Sequence, residues 1–168
     1  MRLGAAEGIA TLDLDQAVGA VLDHRLSPGS PRPVAVALSG GGDSLALLLA
    51  AEAWARRAGR TLLVLTVDHR LRPPSADWTQ ACAATAERLD LGFRALAWTG
   101  DKPDAGVPAA ARAARHRLIA EAARRLGAAV VLVGHTLDDQ LENALMRGAG
   151  LRLGALREWS PAPVWPEG

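Results

Sequence analysis

Six consecutive residues carry the densest set of chemically useful groups in the chain: Ser39, Gly40, Gly41, Gly42, Asp43 and Ser44. Three glycines let a backbone approach a ligand with no Cβ in the way. Successive N–H groups in such a turn can converge on an anion. A helix that starts near Asp43 or Ser44 adds its unpaired N–H groups and the positive end of its dipole. Ser39 and Ser44 add hydroxyl donors, so the stretch reads as a phosphate cradle. It differs from the loop G-x-x-x-x-G-K-[ST], which needs a lysine before its last residue; Asp43 stands there instead. A carboxylate beside phosphates repels them unless a cation lies between, so Asp43 reads as a magnesium ligand, directly or through water. The plainer alternative is a tight βα turn with Asp43 as a helix cap.

Two further clusters have chemical potential. Asp68, His69, Arg70 and Arg72 place four ionisable groups in five positions. Asp68 and His69 are expected to face a ligand crevice, Arg70 to be a solvated loop tip, and Arg72 to hold a phosphate or pair with an acid. In the run 135–142, His135 and Asp139 are i,i+4, Asp138 and Glu142 are i,i+4, and Asp139 and Glu142 are i,i+3. On a continuing helix these side chains share one flank. Acids at a helix start also complement the dipole, but three exceed what that requires. The cluster suits magnesium or an ammonium group. A third basic face comes from Arg112 and Arg115 (i,i+3) with His116, which an exposed basic helix would explain equally well.

The elements that must carry these groups alternate. An amphipathic helix is expected over 11–26, followed by a Pro-, Gly- and Ser-rich connection over 27–33. Residues 34–38 form a short apolar strand, and the helix after the glycine turn stops at Gly59. A second strand spans 61–67. Ser75 caps a helix over about 76–91, and Gly92 ends it. Strand 93–98, loop 99–107, helix 109–126, strand 130–133 and helix 137–147 follow. Beyond residue 148 no period is visible. Continuous apolar strands alternating with helices predict an α/β domain: a parallel sheet covered on both faces. Ligands of such sheets gather at the carboxyl ends of the strands. All three polar clusters follow strands there, which argues for one composite site.

Composition sets bounds. The chain has 168 residues and a net charge of +1. That is enough for one domain with a core, without a bulk polycation signal. Lys102 is the only lysine among 19 basic residues. Cys82 is the only cysteine, which rules out a disulfide within the chain and a cluster built on cysteines alone. It falls on an apolar helix face and reads as core. No window approaches about 18 uninterrupted apolar residues, and no signal peptide is recognisable. A cytoplasmic protein with no membrane contact is expected.

The hexapeptide at 39–44 resembles the PP-loop of the N-type ATP pyrophosphatases. These enzymes cleave ATP between the α- and β-phosphates and adenylate a substrate oxygen. The stretch from Val67 to Ser75 resembles V-D-H-x-L-R-x-x-S of the tRNA(Ile)-lysidine synthetases, and 135–142 resembles their H-x-x-D-D-Q-x-E segment. Residues 111–116 are similar to A-R-x-x-R-Y, with His116 in place of Tyr. The resemblance implies a three-layer Rossmann-like domain of the adenine nucleotide alpha hydrolase type, occupying 1–168 as a single C-terminally incomplete PP-loop domain, with 1–32 its N-terminal helix and linker.

The same resemblance implies ligation of lysine to C2 of the wobble cytidine of tRNA(Ile), with ATP and Mg²⁺. The implied ATP-site residues are Ser39, Gly40, Gly41, Gly42, Asp43, Ser44, Asp68, His69, Arg112 and Arg115. Asp138, Asp139 and Glu142 would take lysine; Asp43, His135 and Asp139 would take part in catalysis. Partners would be tRNA(Ile) with a CAU anticodon and free L-lysine, with a homodimer as an option. The chain departs from the pattern at Trp78, where Glu is usual, at Asn143, where Thr is usual, and at 146–148, where a few residues and an Arg are missing. A non-catalytic ATP-binding module and a tRNA 2-thiolation enzyme stand as alternatives; a lone cysteine argues against the second.

Overall fold

The computed structural model describes residues 14–27, 29–71 and 75–135. Four strands, β1 Val34–Ala37, β2 Leu62–Asp68, β3 Gly92–Ala97 and β4 Val130–Val133, form one sheet in the order β3-β2-β1-β4. Every pairing is parallel, with Val34 opposite both Leu62 and Val130. The helices are α1 Leu14–Arg25, α2 Gly42–Ala58, α3 Ser75–Arg88 and α4 Val107–Arg125.

Strand periodicity assigns the two faces. Val34 and Val36 of β1 and Leu62 and Val64 of β2 pack against Leu22 of α1, Leu48 and Trp54 of α2, and Cys82 and Ala86 of α3. Ala35 and Leu65 face the other way, onto Ala122 and Ala123 of α4, with Ala128 behind them. The result is the three-layer α/β domain expected from the sequence. The buried residues of the second face are mostly alanines, ringed by partly buried Leu63, Leu96, Ile119, Leu126 and Val131.

At the outer layer, the Trp54 indole N–H donates to Asp23 at 2.7 Å, and Arg57 donates to the other Asp23 oxygen at 2.9 Å. One carboxylate thus clamps α1 onto α2. At the amino edge of the sheet, the Arg60 guanidinium, 9% exposed, donates to the Ser27 and Arg32 carbonyls, both at 3.1 Å. It ties the connection after α1 to the start of β2.

Strand ends shift by at most one residue from expectation, and three helix boundaries differ for physical reasons. α2 begins at Gly42, so Asp43 lies inside its first turn. α4 begins at Val107, two residues early, because Pro108 fits the first turn, where a missing N–H costs nothing. α3 ends at Arg88, with Gly92 already in β3. Asp90 takes the left-handed conformation (φ 55°) that closes this helix, and Leu91 N–H reaches the Ala86 carbonyl at 3.0 Å. Asp tolerates that conformation with a modest penalty, so glycine is not needed there. The expected helix over 137–147 and the irregular stretch after it lie outside the described residues.

Candidate functional site

β1 is flanked by β2 on one side and β4 on the other, so the chain's path across the sheet reverses between β1 and β4. In an open parallel sheet a crevice forms outside the carboxyl ends at that reversal. The glycine turn leaves β1 there, and Gly134 and His135 leave β4 beside it.

The turn is held from within. The Ser44 hydroxyl donates to the Gly41 carbonyl at 2.9 Å and accepts from the Ser39 N–H at 3.2 Å. The two hydroxyl oxygens are 3.0 Å apart. A hydroxyl has one proton; with that of Ser44 given to Gly41, the Ser39 proton supplies this contact. Ser44 is 5% exposed, so its side chain shapes the cradle from behind, while Ser39 is exposed and can turn outward to a ligand. Gly40 has φ 87°, which favours glycine. Gly41 caps α2 without any side-chain hydrogen bond. The first intrahelical bond is Leu45 N–H to the Gly41 carbonyl at 3.1 Å. The Gly42 and Asp43 N–H groups therefore find no partner among the described residues, and the helix start is open to an anion.

Two supports were not singled out from the sequence. A Cβ on Gly134 would stand 3.0 Å from Ser44 Cα and N and 3.1 Å from the Asp43 carbonyl carbon. β4 thus ends with its backbone pressed on the first turn of α2, and a side chain there would push that turn by a few tenths of an ångström. A glycine directly after an apolar strand was the available signal. Cys82, read as core, lies beneath the turn: its Sγ is 3.7 Å from where a Gly40 Cβ would be. Burial pushes its thiol up, opposed by a hydrogen bond with Thr66. Thr66 in turn donates to the Leu38 carbonyl at 2.9 Å, fixing the strand end that feeds the turn.

The second cluster divides in two. Asp68 is held below the usual carboxylate range, chiefly by a hydrogen bond from Ser75, against burial and with help from the Arg70 N–H at 2.8 Å. Its carboxylate organises its own loop, in which exposed Arg70 has φ 52°. His69 faces inward. Its ring meets Trp98 edge-on with centroids 6.2 Å apart. Its buried Nδ1 finds no hydrogen-bond partner among the described residues. Burial lowers its pKa first, then the charges of Arg115 and Lys102, against Asp68, so neutral imidazole is favoured. Lys102 sits over the Trp98 ring at 3.9 Å and donates to the Trp98 carbonyl at 2.6 Å. That anchors the expected loop at 99–107 beside His69, a contact no sequence period reveals.

α4 closes the site. Burial and then Arg112 lower the pKa of Arg115. His116 is lowered by burial, then by Arg115, Arg112 and His135. Arg115 is thus within electrostatic reach of His69, and His116 within reach of both arginines and of His135. Neither pairs with a carboxylate among the described residues. Two partly buried guanidiniums without a counter-ion form an anion site. The structure therefore gathers Ser39 to Ser44, His69, Arg112, Arg115 and His135 at one edge. Arg72, Asp138, Asp139 and Glu142 lie outside the described residues. A cavity of about 220 Å³ lined by Glu52, Arg56, Arg60, Leu62 and Leu91 sits at the opposite, amino edge, far from these groups.

The sequence pattern of the PP-loop domain family matches residues 14–160. The chain belongs to the PP-loop domain family. It is 51% identical over 155 residues to the tRNA(Ile)-lysidine synthase of Caulobacter vibrioides, covering 92% of this chain and 38% of that protein. It is 41% identical over 158 residues to the tRNA(Ile)-lysidine synthase of Hyphomonas neptunium, covering 92% and 41%. The chain spans less than half the length of these curated relatives. Among solved structures, the U34-tRNA thiolase NcsA from Methanococcus maripaludis superposes with a TM-score of 0.68 at 17% identity, over 82% of this chain and 50% of that one. That likeness supports the PP-loop fold.

Membership implies ATP binding, and the loop fits it. A Cβ on Gly42 would meet no atom within 4 Å, and Gly42 does not require a positive φ. Packing among the described residues leaves that position free to take a side chain. The space in front of the PP-loop is what glycine keeps clear. No group of three metal-ligating side chains forms among the described residues. Magnesium commonly binds through one or two carboxylates, substrate phosphates and water, and exposed Asp43 on the rim of the PP-loop supplies one carboxylate. No described helix is long and apolar enough to cross a membrane.

Proposed function

We propose that this chain is the ATP-activating part of a tRNA-modifying enzyme that joins lysine to C2 of the wobble cytidine of tRNA(Ile). The observation that carries the reading is the 51% identity to a tRNA(Ile)-lysidine synthase across 92% of the chain, over a PP-loop whose N–H donors stand open. The Gly42 and Asp43 N–H groups and the Ser39 hydroxyl receive the outgoing pyrophosphate. Arg112 and Arg115 neutralise charge on the transferring phosphate. The cytidine O2 attacks the α-phosphate and pyrophosphate leaves; the lysine amine then attacks C2 and AMP leaves. Magnesium held at Asp43 would screen the phosphates and stabilise charge on the leaving group. His135 orients the nucleotide or moves a proton, and Asp138, Asp139 and Glu142 take the lysine ammonium groups. Cys82 is 2% exposed, which disfavours sulfur transfer through it.

The test is pyrophosphate release by the purified protein with Mg²⁺, lysine and tRNA(Ile) bearing CAU, with Asp43→Ala as control. Release that requires both lysine and tRNA, with lysine found in the RNA, is expected. ATP binding without turnover would leave a nucleotide-binding module, and sulfur in the RNA would transfer the reading to thiolation.

A further inference from the structure

Trp78 is the most exposed large apolar side chain among the described residues, at 60%. It stands in the first turn of α3. Cys82 is one turn further along on the same helix face and lies buried under the PP-loop, its Sγ 3.7 Å from where a Gly40 Cβ would be. Side chains four apart on a helix are neighbours along its axis, and helical side chains lean toward the helix N-terminus. Trp78 therefore lies one turn nearer the N-terminus of α3 than Cys82, on the carboxyl side of the sheet from which the PP-loop also leaves. On the other flank, Ser75, three residues earlier, hydrogen-bonds Asp68. The same end of α3 thus borders the loop that presents Arg70, whose guanidinium is exposed and 3.8 Å from Asp68 at Nε. Leu71 is exposed in the same loop.

An exposed indole on the phosphate-site side of the sheet, with an exposed guanidinium in the loop that leads into its helix, has the chemistry of a stacking platform for single-stranded nucleic acid. We propose that Trp78 stacks on an unpaired base of the RNA substrate, with Arg70 meeting a neighbouring phosphate. The inference rests on the tRNA reading above. An RNA base is favoured over the adenine of ATP because small-molecule pockets enclose most of their ligand. Trp78 instead offers one open face and little enclosure, as splayed RNA bases use. The pattern of the lysidine synthetases has Glu at this position, so the contact would belong to this chain and not to the family pattern.

The test uses the whole 168-residue chain, a fluorescently labelled anticodon stem-loop RNA with CAU, and separate titrations with ATP and Mg²⁺. Trp78→Ala is expected to weaken RNA binding about 10-fold, with Trp78→Phe keeping most of the affinity. ATP binding should be the same in all three proteins, which also shows that they fold. If the parent chain binds the RNA and Trp78→Ala binds it equally well, the platform is wrong and the tRNA reading stands. Weaker ATP binding with unchanged RNA binding would assign the indole to adenine and overturn the proposal. A parent chain that binds ATP but no RNA would overturn both this inference and the tRNA reading.

Discussion

The two edges of the sheet treat their polar groups in opposite ways. At the amino edge, the Arg60 guanidinium donates to two carbonyls and lies over the Trp54 ring at 5.7 Å. Gly59 closes α2 in the left-handed conformation, with its N–H on the Ala55 carbonyl, and Leu126 closes α4 through its N–H. At the carboxyl edge, α2 and α4 start on Gly41 and Gly106 with no side-chain cap. His69 keeps an unpartnered buried nitrogen, and Arg112 and Arg115 lack a described counter-ion. Buried polar groups in native proteins are nearly always paired. At the carboxyl edge, uncapped helix starts, a buried imidazole nitrogen and two guanidiniums without a described counter-ion come together, which prepares that edge for a ligand.

Perturbing each edge should give a different signature. The largest effect expected is from Asp43→Ala, which should cut pyrophosphate release by about 100-fold or more. Asp43 is exposed, so thermal unfolding should be unchanged. Arg60→Ala should do the reverse: about 2–3 kcal/mol of stability lost in urea denaturation, for charged hydrogen bonds from a buried guanidinium to two carbonyls, with ATP affinity intact. If Arg60→Ala impaired ATP binding before it unfolded the chain, the separation of the edges would fail.

Gly134→Ala sharpens the comparison, because it should affect both measures. Its Cβ would meet the Ser44 backbone at 3.0 Å. Overpacking of that kind costs about 1–3 kcal/mol, and the displaced PP-loop should lose ATP affinity. Unchanged ATP binding would mean that β4 does not brace the cradle.

The smallest effect concerns pH. Burial and the cations Arg115 and Lys102 depress the pKa of His69 from its ordinary 6.5. The unfolded chain then binds the proton at higher pH than the folded one. Stability is fully present above about 6.5 and is lost as pH falls toward the depressed folded value. His69→Gln should flatten that slope in denaturation measured from pH 7.5 to 5.5, and an unaltered slope would remove His69 as its source. His116, depressed in the same direction, should keep part of it.

Much of this was legible in the residues. Near-continuous apolar runs set β1, β2 and β4, because strands buried on both faces have little polar alternation to misread. The glycine turn was legible because three glycines and an acid between strand and helix permit few structures. The end of α3 was not, because Asp90 assumed the backbone role expected of a glycine. Ser44 looked like a ligand donor, and only its bonds to Gly41 and Ser39 show that it faces the turn. The grouping of His69, Trp98 and Lys102 joins β2 to the loop after β3, a pairing that depends on sheet order. What Gly134 packs against was hidden for the same reason, although a glycine right after an apolar strand marked the position: its neighbour Ser44 is distant in sequence and close only once β4 lies beside β1.

The most direct measurement is an amide nitrogen–proton NMR titration of the chain with ATP and Mg²⁺. Saturable shifts should be largest at Gly40, Gly41, Gly42, Asp43 and Ser44, followed by Gly134, with Arg60 and Leu91 unmoved. Shifts gathered at the amino-edge cavity, or none that saturate at the PP-loop, would contradict the assignment of the open edge as the ATP site.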